Sequence, residues 1–144
     1  MRAKLVLLCA GAAMLAAPAF AADPFRVGGA WIRAMPAGIP SGGYFTLRND
    51  GGKDMVLTGA SAAACGSLML HKSEMTGGMS SMRHVDEVDV PAGGSVAFAP
   101  GGYHLMCMQA TSAITPGATV PVTLIFKDGS KLTVPFSVRN AAGH

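Results

Sequence analysis

A chain of 144 residues is long enough for one domain with a single hydrophobic core. Half of the residues are hydrophobic and only 13% are charged, which excludes an intrinsically disordered chain. A formal net charge of +3 without a run of basic residues argues against nucleic-acid binding, and 19 glycines with 9 prolines disfavour long helices. Ten methionines, four histidines and three cysteines remain to be explained.

The N-terminus has the pattern of a secretory signal peptide. Arg2 and Lys4 precede an apolar stretch over residues 5–17, and the small residues Ala19 and Ala21 then frame a cleavage site. We therefore predict cleavage between Ala21 and Ala22 and an exported, periplasmic protein.

This interpretation divides the chain into a signal peptide over residues 1–21 and one mature domain over residues 22–144. Cys9 lies inside the apolar stretch and is not framed as a lipid-attachment cysteine. The stretch is too short for a membrane span, and no later segment approaches 18 apolar residues. We expect no membrane span.

The mature domain is predicted to be all-β. Val120, Val122, Leu124 and Phe126 alternate with other residues, as a half-buried strand requires, and Asp128-Gly129 predicts a hairpin turn after them. Short strands with frequent turns indicate a sandwich or a barrel. The predicted strands cover residues 25–33, 43–48, 55–60, 67–72, 79–85, 95–98, 103–109, 119–127 and 131–138.

Methionine and histidine are concentrated in one 40-residue stretch. Thioether sulfur and imidazole nitrogen together suit Cu(I), whereas hard cations prefer oxygen ligands and zinc prefers more Cys or His. The stretch contains Met69, Met75, Met79, Met82, Met106 and Met108 together with His71, His84 and His104.

Strand geometry groups some of these side chains. His104 and Met106 are two residues apart in a predicted strand, so both leave the same face, while Leu105 and Cys107 point to the opposite face, which we expect to be the core. His71 ends one predicted strand and Met82 lies in the next. With residues 73–78 as a flexible connection, a hairpin would bring both to the His104–Met106 pair.

The spacing of these four residues resembles the signature of the PCuAC periplasmic copper chaperones. Ten residues separate His71 from Met82, twenty-one separate Met82 from His104, and one separates His104 from Met106. Three further stretches are similar to that family, and the resemblance extends over residues 25–138. They are Ala30-Trp31-Ile32-Arg33-Ala34, Gly43-Tyr44-Phe45-Thr46-Leu47-Arg48-Asn49 and Pro100-Gly101-Gly102-Tyr103-His104-Leu105-Met106.

The resemblance implies a cupredoxin-like (immunoglobulin-like) β-sandwich that binds one Cu(I) through His71, Met82, His104 and Met106. It further implies a non-enzymatic, monomeric carrier that passes copper to respiratory enzyme subunits, chiefly the binuclear copper site of cytochrome c oxidase, or exchanges it with other periplasmic copper chaperones. Copper buffering or resistance through the same site is the alternative function.

The sequence departs from the family at three places. His84 stands where many relatives carry Pro or another non-ligand, and Cys107 stands where an aliphatic residue is usual. Some relatives hold a second ion, Cu(II), on a C-terminal extension rich in Met and His. This chain ends in residues 141–144 with a single His, so a weaker Cu(II) site is only an open alternative.

The remaining sulfur and imidazole side chains have plainer expectations. Met35, Met55 and Met69 are expected in the core, and Met108 is expected as an apolar wall of the copper site. Met75 and Met79 are expected to be solvent-exposed, with transient capture of copper as the alternative.

His84 and the two mature cysteines leave alternatives open. We expect His84 to be an exposed surface histidine, with a role at the copper site as the alternative. We expect Cys65 and Cys107 to be buried free thiols, although export permits a disulfide. Sequence alone does not show whether their Cα atoms lie within about 7 Å.

Rival functions fit the residues less well. A blue-copper electron carrier needs a Cys thiolate with two His, and the only His after Cys107 is His144 at the terminus. A thiol oxidoreductase would need a close Cys pair, and the motifs of the common hydrolases are absent from the sequence. A metal-free β-sandwich that acts as an assembly module is the remaining alternative.

Overall fold

The computed structural model describes residues 24–144, so the predicted signal peptide and Cys9 lie outside the described residues. Ten β-strands and no helix occur in this part of the chain, which therefore offers no helix that could cross a membrane. The strands are β1 (Phe25–Arg33), β2 (Ser41–Asn49), β3 (Met55–Ser61), β4 (Cys65–Thr76), β5 (Met79–His84), β6 (Val88–Val90), β7 (Ser95–Phe98), β8 (Tyr103–Ala110), β9 (Thr119–Phe126) and β10 (Lys131–Arg139).

The prediction of an all-β domain is confirmed, with two differences in detail. All nine predicted strands are present, and the tenth, β6, is a three-residue strand that is too short to show an alternating pattern. Strand β4 continues to Thr76, so residues 73–76 are not part of a flexible connection as expected. The turn to β5 contains only Gly77 and Gly78, whose φ angles of +58° and +79° are accessible to glycine at little cost.

All ten strands form one open mixed sheet, in the order β5-β4-β8-β7-β2-β1-β10-β9-β3-β6. The sheet is curled, so that strands far apart in this order, such as β2 and β6, come into contact. The buried Asn49 at the end of β2 donates from Nδ2 to the carbonyl of Val90 in β6, at 3.0 Å. One hydrophobic core lies between the two halves of the sheet, as expected of a β-sandwich.

The pairing of β4 with β8 positions the predicted ligands. Leu70 lies directly across from Leu105, and His71 lies directly across from His104. Both leucines are buried in the core, so the alternation of side chains turns the two histidines to the opposite face. The prediction that Leu105 and Cys107 face the core is confirmed.

Cys65 and Cys107 form a disulfide, so the expectation of free thiols is wrong. The two Cα atoms are 5.5 Å apart, because Cys65 begins β4 and Cys107 lies in the adjacent strand β8. Both side chains lie in the hydrophobic core. The bond therefore joins the two strands that carry His71 and His104.

Reduction of this disulfide is expected to destabilise the domain. The cross-link closes a loop of about 40 residues, and loss of a native bridge typically lowers the free energy of unfolding by about 2–5 kcal/mol. A thiol count on the unfolded, unreduced chain lacking residues 1–21 should give zero free thiols. Urea unfolding with and without reductant would measure the difference, and the variant Cys65→Ala/Cys107→Ala should not respond to reductant. Two free thiols in the unreduced chain would contradict this assignment.

Candidate metal centre

Three imidazoles form a row across adjacent strands. His104 in β8, His71 in β4 and His84 in β5 lie directly across from one another. The ring centroids are 5.9 Å apart between His71 and His104 and 5.6 Å apart between His71 and His84. Directly opposed residues of antiparallel strands share a face, so all three rings lie on the side of the sheet away from Leu70 and Leu105.

Two methionines flank this row on the same face. Met106 follows His104 by two residues, and Met82 precedes His84 by two residues. Each is therefore a diagonal neighbour of His71, at a typical Cα separation of about 7–8 Å that a long side chain can bridge. The register thus places the other three predicted ligands, Met82, His104 and Met106, next to His71.

His104 is held in one tautomer. The side chain is only 6% exposed, and its Nδ1 lies 3.2 Å from the carbonyl oxygen of Gly102. Because a carbonyl oxygen only accepts, Nδ1 carries the proton and donates it to Gly102. Nε2 is then the ring nitrogen with a free lone pair, as a metal ligand requires.

Burial favours the uncharged form of His71. It lowers the pKa of His71 below its ordinary value; the backbone of Met69 opposes this shift, and the nearby rings of His104 and His84 add to it. Its Nδ1 is buried, and among the described residues no hydrogen-bond partner satisfies it. A buried ring nitrogen without a hydrogen-bond partner fits a metal ligand.

Oxygen, thiolate and imidazole ligands alone do not build a site here. Within residues 24–144, no group of three or more His, Cys, Asp or Glu side chains is placed to hold a metal ion. A three- or four-coordinate ion on this face therefore needs thioether sulfur as well as imidazole nitrogen. That donor set suits Cu(I) better than zinc or hard cations.

A groove of about 520 Å³ opens beside the centre. Three of the predicted ligands line one side of it, and side chains from β2 and from the loop before β2 line the other side. Residues on these two sides include His104, Met106, Met82, Ile39, Pro40 and Tyr44.

Gly42 makes room for the Tyr44 side chain beside Met106. Gly42 and Met106 lie directly across from each other in β2 and β8, and a Cβ atom at position 42 would collide with the hydroxyl of Tyr44. The Tyr44 ring also contacts Trp31, and the Arg33 guanidinium lies 5.6 Å from its centroid. The sequence did not predict that Gly42 and Tyr44 lie beside the site, because β2 is remote in sequence from the Met- and His-rich stretch.

The other methionines follow the expectations only in part. Met55 is buried in the core as predicted, but Met69 is half-buried on the outer face, directly across from Met106. Met35 is also half-buried and lines the groove instead of the core. Met108 lines a neighbouring pocket and not the groove beside His104. Alternation with the buried Leu68 and Leu70 is the signal that would have placed Met69 correctly.

His84 is both exposed, as expected, and part of the row of imidazoles. Its side chain is 54% exposed, and its Nε2 lies 3.2 Å from Oδ1 of Asp86. Strand β5 continues through His84, so this side chain shares the face of Met82.

The structure excludes a blue-copper centre at Cys107. Its side chain is fully buried on the core face and its sulfur is bonded to Cys65. A blue-copper site needs a free Cys thiolate on the metal.

Comparison with known sequences identifies the family. Residues 25–138 match the sequence model described as "LpqE-like: Putative lipoprotein LpqE-like". The chain is 32% identical over 127 residues to "Putative lipoprotein Lxx21020" of Leifsonia xyli subsp. xyli (strain CTCB07). The aligned region covers 88% of this chain and 76% of that protein.

Comparison with solved structures identifies the same fold in copper-binding domains. The solution structure of CuI-DR1885 from Deinococcus radiodurans is 32% identical, with a TM-score of 0.63 over 78% of this chain and 76% of that chain. The copper-bound PCuAC domain from PmoF2 is 20% identical, with a TM-score of 0.67 over 84% of this chain and 97% of that chain. The family and these domains support the prediction that the protein is not an enzyme. The chain belongs to the LpqE-like family and has the β-sandwich fold of PCuAC domains.

Proposed function

We propose that this protein is a periplasmic metallochaperone that binds one Cu(I) through His71, Met82, His104 and Met106. The ion is cargo that the protein delivers to copper-accepting subunits of respiratory enzymes, including the copper sites of cytochrome c oxidase. The protein acts as a monomer, and other periplasmic copper chaperones are further exchange partners.

The register of β4, β5 and β8 is the observation that carries this proposal. It places the thioethers of Met82 and Met106 and the imidazole of His104 next to His71 on one face of the sheet. The hydrogen bond from His104 Nδ1 to Gly102 leaves the Nε2 of His104 free. Thioether sulfur together with imidazole nitrogen matches the preference of Cu(I). Absence of a thiolate moderates the affinity and keeps the ligands usable in an oxidising compartment.

Similarity to copper-bound relatives supports the choice of metal. CuI-DR1885 is named for its Cu(I), and at 32% identity it shares more than the fold with this chain. The resemblance in ligand spacing points to the same ion. We infer delivery to an oxidase from the resemblance in ligand spacing.

The exposure of the ligands suits transfer of the ion to a partner. Met82 is 60% exposed, whereas His104 is 6% exposed and is held at its Nδ1. An acceptor ligand that enters the open groove can replace Met82 first, while His71 and His104 still hold the ion. Cu(I) tolerates low coordination numbers, so such shared intermediates lie within its ordinary chemistry.

Export to the periplasm is consistent with the disulfide and with the relatives. Disulfides persist in oxidising compartments, and Cys65 and Cys107 form one. The family and the Leifsonia protein are described as lipoproteins, whereas we predict a cleaved signal peptide without lipid at Cys9. Mass spectrometry of the mature protein would distinguish the two.

Removal of two ligands is expected to abolish tight binding. The variant His104→Ala/Met106→Ala should lose more than about 100-fold in Cu(I) affinity, since loss of a single outer-shell partner already costs 10–100-fold at metal sites. Competition against a chromophoric Cu(I) chelator would measure it. Met108→Leu, in the neighbouring pocket, is the matched control and should bind like wild type. Equal affinity of the double variant and wild type would overturn the ligand assignment.

The lowered pKa of His71 gives a pH dependence of stability. Because the pKa is lower in the folded than in the unfolded state, the unfolded chain binds more protons once the pH falls below about 6.5. The free energy of unfolding of the metal-free protein should therefore decrease between pH 7 and pH 5. Urea unfolding across this range should show a weaker dependence in His71→Gln, and an unchanged one in the control His144→Gln. A His71→Gln variant with the slope of wild type would contradict this account.

Delivery and buffering predict different phenotypes. If the protein delivers copper, a deletion strain grown at low copper should lose cytochrome c oxidase activity, and excess copper should restore it. Wild-type protein should complement the strain, and the variant His104→Ala/Met106→Ala should not. Normal oxidase activity at low copper with increased sensitivity to high copper would instead establish buffering.

A further inference from the structure

The β4–β5 hairpin extends beyond the hydrophobic core. Every residue of β5 is exposed, and β5 lies at the edge of the sheet. The last four residues of β4 pair with β5 and no longer with β8, since the β4–β8 pairing ends at Lys72. The outer half of the hairpin therefore presents two solvent-facing surfaces.

One surface of the hairpin carries soft ligands in successive rows. From the core outward, His71 lies across from His84, Ser73 across from Met82, and Met75 across from Ser80. Met82 is therefore a diagonal neighbour of His71 on one side and of Met75 on the other. We call this surface, formed by Met75, Met82 and His84 together with the two serines, the outer thioether face.

The opposite surface of the hairpin is polar. Thr76 lies across from Met79, and Glu74 accepts a hydrogen bond from Arg83 Nε at 2.9 Å and also lies 3.8 Å from Lys72 Nζ. Met79 is thus as exposed as Met75, at 75% against 71%, but is turned away from Met82. The two methionines form a natural pair for comparison.

We propose that Met75, Met82 and His84 form a second, weaker Cu(I) site on the outer thioether face, through which the ion enters and leaves the inner site. This inference rests on the proposed function, because the inner site is the destination of the ion. Met82 belongs to both sites, so when a second Cu(I) binds, Met82 turns to the outer ion while His71, His104 and Met106 keep the first one in three-coordination. The ion moves by exchange of ligands about the Met82 sulfur, from Met75 and His84 to His71, His104 and Met106, and remains Cu(I) throughout.

Met82 lies midway between the other two side chains on this face, because Met75 is across from Ser80, two residues before Met82, and His84 follows Met82 by two residues. Only the small side chains of Ser73 and Ser80 occupy the other positions in the rows of Met82 and Met75, so nothing bulky separates the two sulfurs. His84 contacts Asp86, but both side chains are exposed, and an exposed ion pair contributes little. The ring of His84 is free to exchange this partner for the metal.

The gradient of exposure sets the order of affinity and the direction of entry. Met75 is 71% exposed and Met82 60%, whereas the inner His104 is 6% exposed and fixed by Gly102. Mobile, hydrated ligands hold an ion less tightly than buried and positioned ones. The outer site therefore loads first in an encounter, and the inner site retains the ion.

Methyl NMR of the mature protein, with 13C-labelled methionine methyl groups, tests this site during a Cu(I) titration under anaerobic conditions. With up to one equivalent, the methyl signals of Met82 and Met106 should shift. With a second equivalent, the signal of Met75 should shift and that of Met79 should not. No shift of Met75 at two equivalents, or equal shifts of Met75 and Met79, would overturn the proposal.

Matched variants test the role in transfer. Met75→Leu should lower the affinity for the second Cu(I) about tenfold or more and slow transfer to a chromophoric chelator, while affinity for the first ion is unchanged. His84→Ala should act in the same direction, and Met79→Leu should behave like wild type. Equal second-ion affinities in Met75→Leu and Met79→Leu would contradict the outer site.

A variant without the inner site separates this inference from the proposed function. In His104→Ala/Met106→Ala, the Met75 signal should still shift on addition of Cu(I), because the outer ligands are intact. If wild type shows no shift of Met106 at one equivalent, the proposed function fails. If Met106 shifts in wild type but Met75 shifts in neither protein, only the outer site fails.

Discussion

The antiparallel pairing of β4 with β8 is the constraint on which the proposed metal centre depends. It sets His71 across from His104 and Met69 across from Met106 on one face, while Leu70 and Leu105 meet on the other. A slip of one residue would turn the imidazoles into the core and the leucines into solvent. The cost of burying imidazoles and exposing leucines therefore fixes the register, and the disulfide between Cys65 and Cys107 joins the same two strands.

The hairpin formed by β4 and β5 gives the centre its accessible side. Strands β4 and β8 lie over the core, so the ligands on them are partly or fully buried, whereas β5 is an edge strand with every residue exposed. An ion held between these strands has rigid ligands on one side and exchangeable ones on the other. This asymmetry suits a carrier, which must bind its cargo selectively and also release it.

Sulfur has two separate roles in this fold. The cysteines are bonded to each other inside the core, where they join strands and are unavailable to a metal. The thioethers of Met82 and Met106 are on the outer face, and a thioether, which has no S–H group, cannot form a disulfide. An exported protein can keep such ligands without a reducing environment, because thioethers do not undergo thiol–disulfide exchange.

The sequence by itself determined nine of the ten strands of residues 24–144 and the facing of residues within a strand, and it supplied the candidate ligands. Alternation is a local property, so it placed Leu105 and Cys107 on one face and His104 and Met106 on the other without knowledge of the partner strands. The same local pattern failed for β6, which has only three residues, and for residues 73–76, whose polar composition resembles a loop. Met69 alternates with the buried Leu68 and Leu70, and this pattern indicates the outer face. The prediction of a core position for Met69 did not take the pattern into account.

Only the tertiary structure decided what depends on register between strands. Three features each join residues that are distant in sequence. They are the row of His84, His71 and His104, the disulfide between Cys65 and Cys107, and the groove that Tyr44 lines. Their proximity follows from which strands pair and in what register, and that choice is made by burial of the whole core and not by any local segment. The spacing of ligands thus indicated a metal, and the folded sheet decided which of them meet, which are exposed and where a partner can approach.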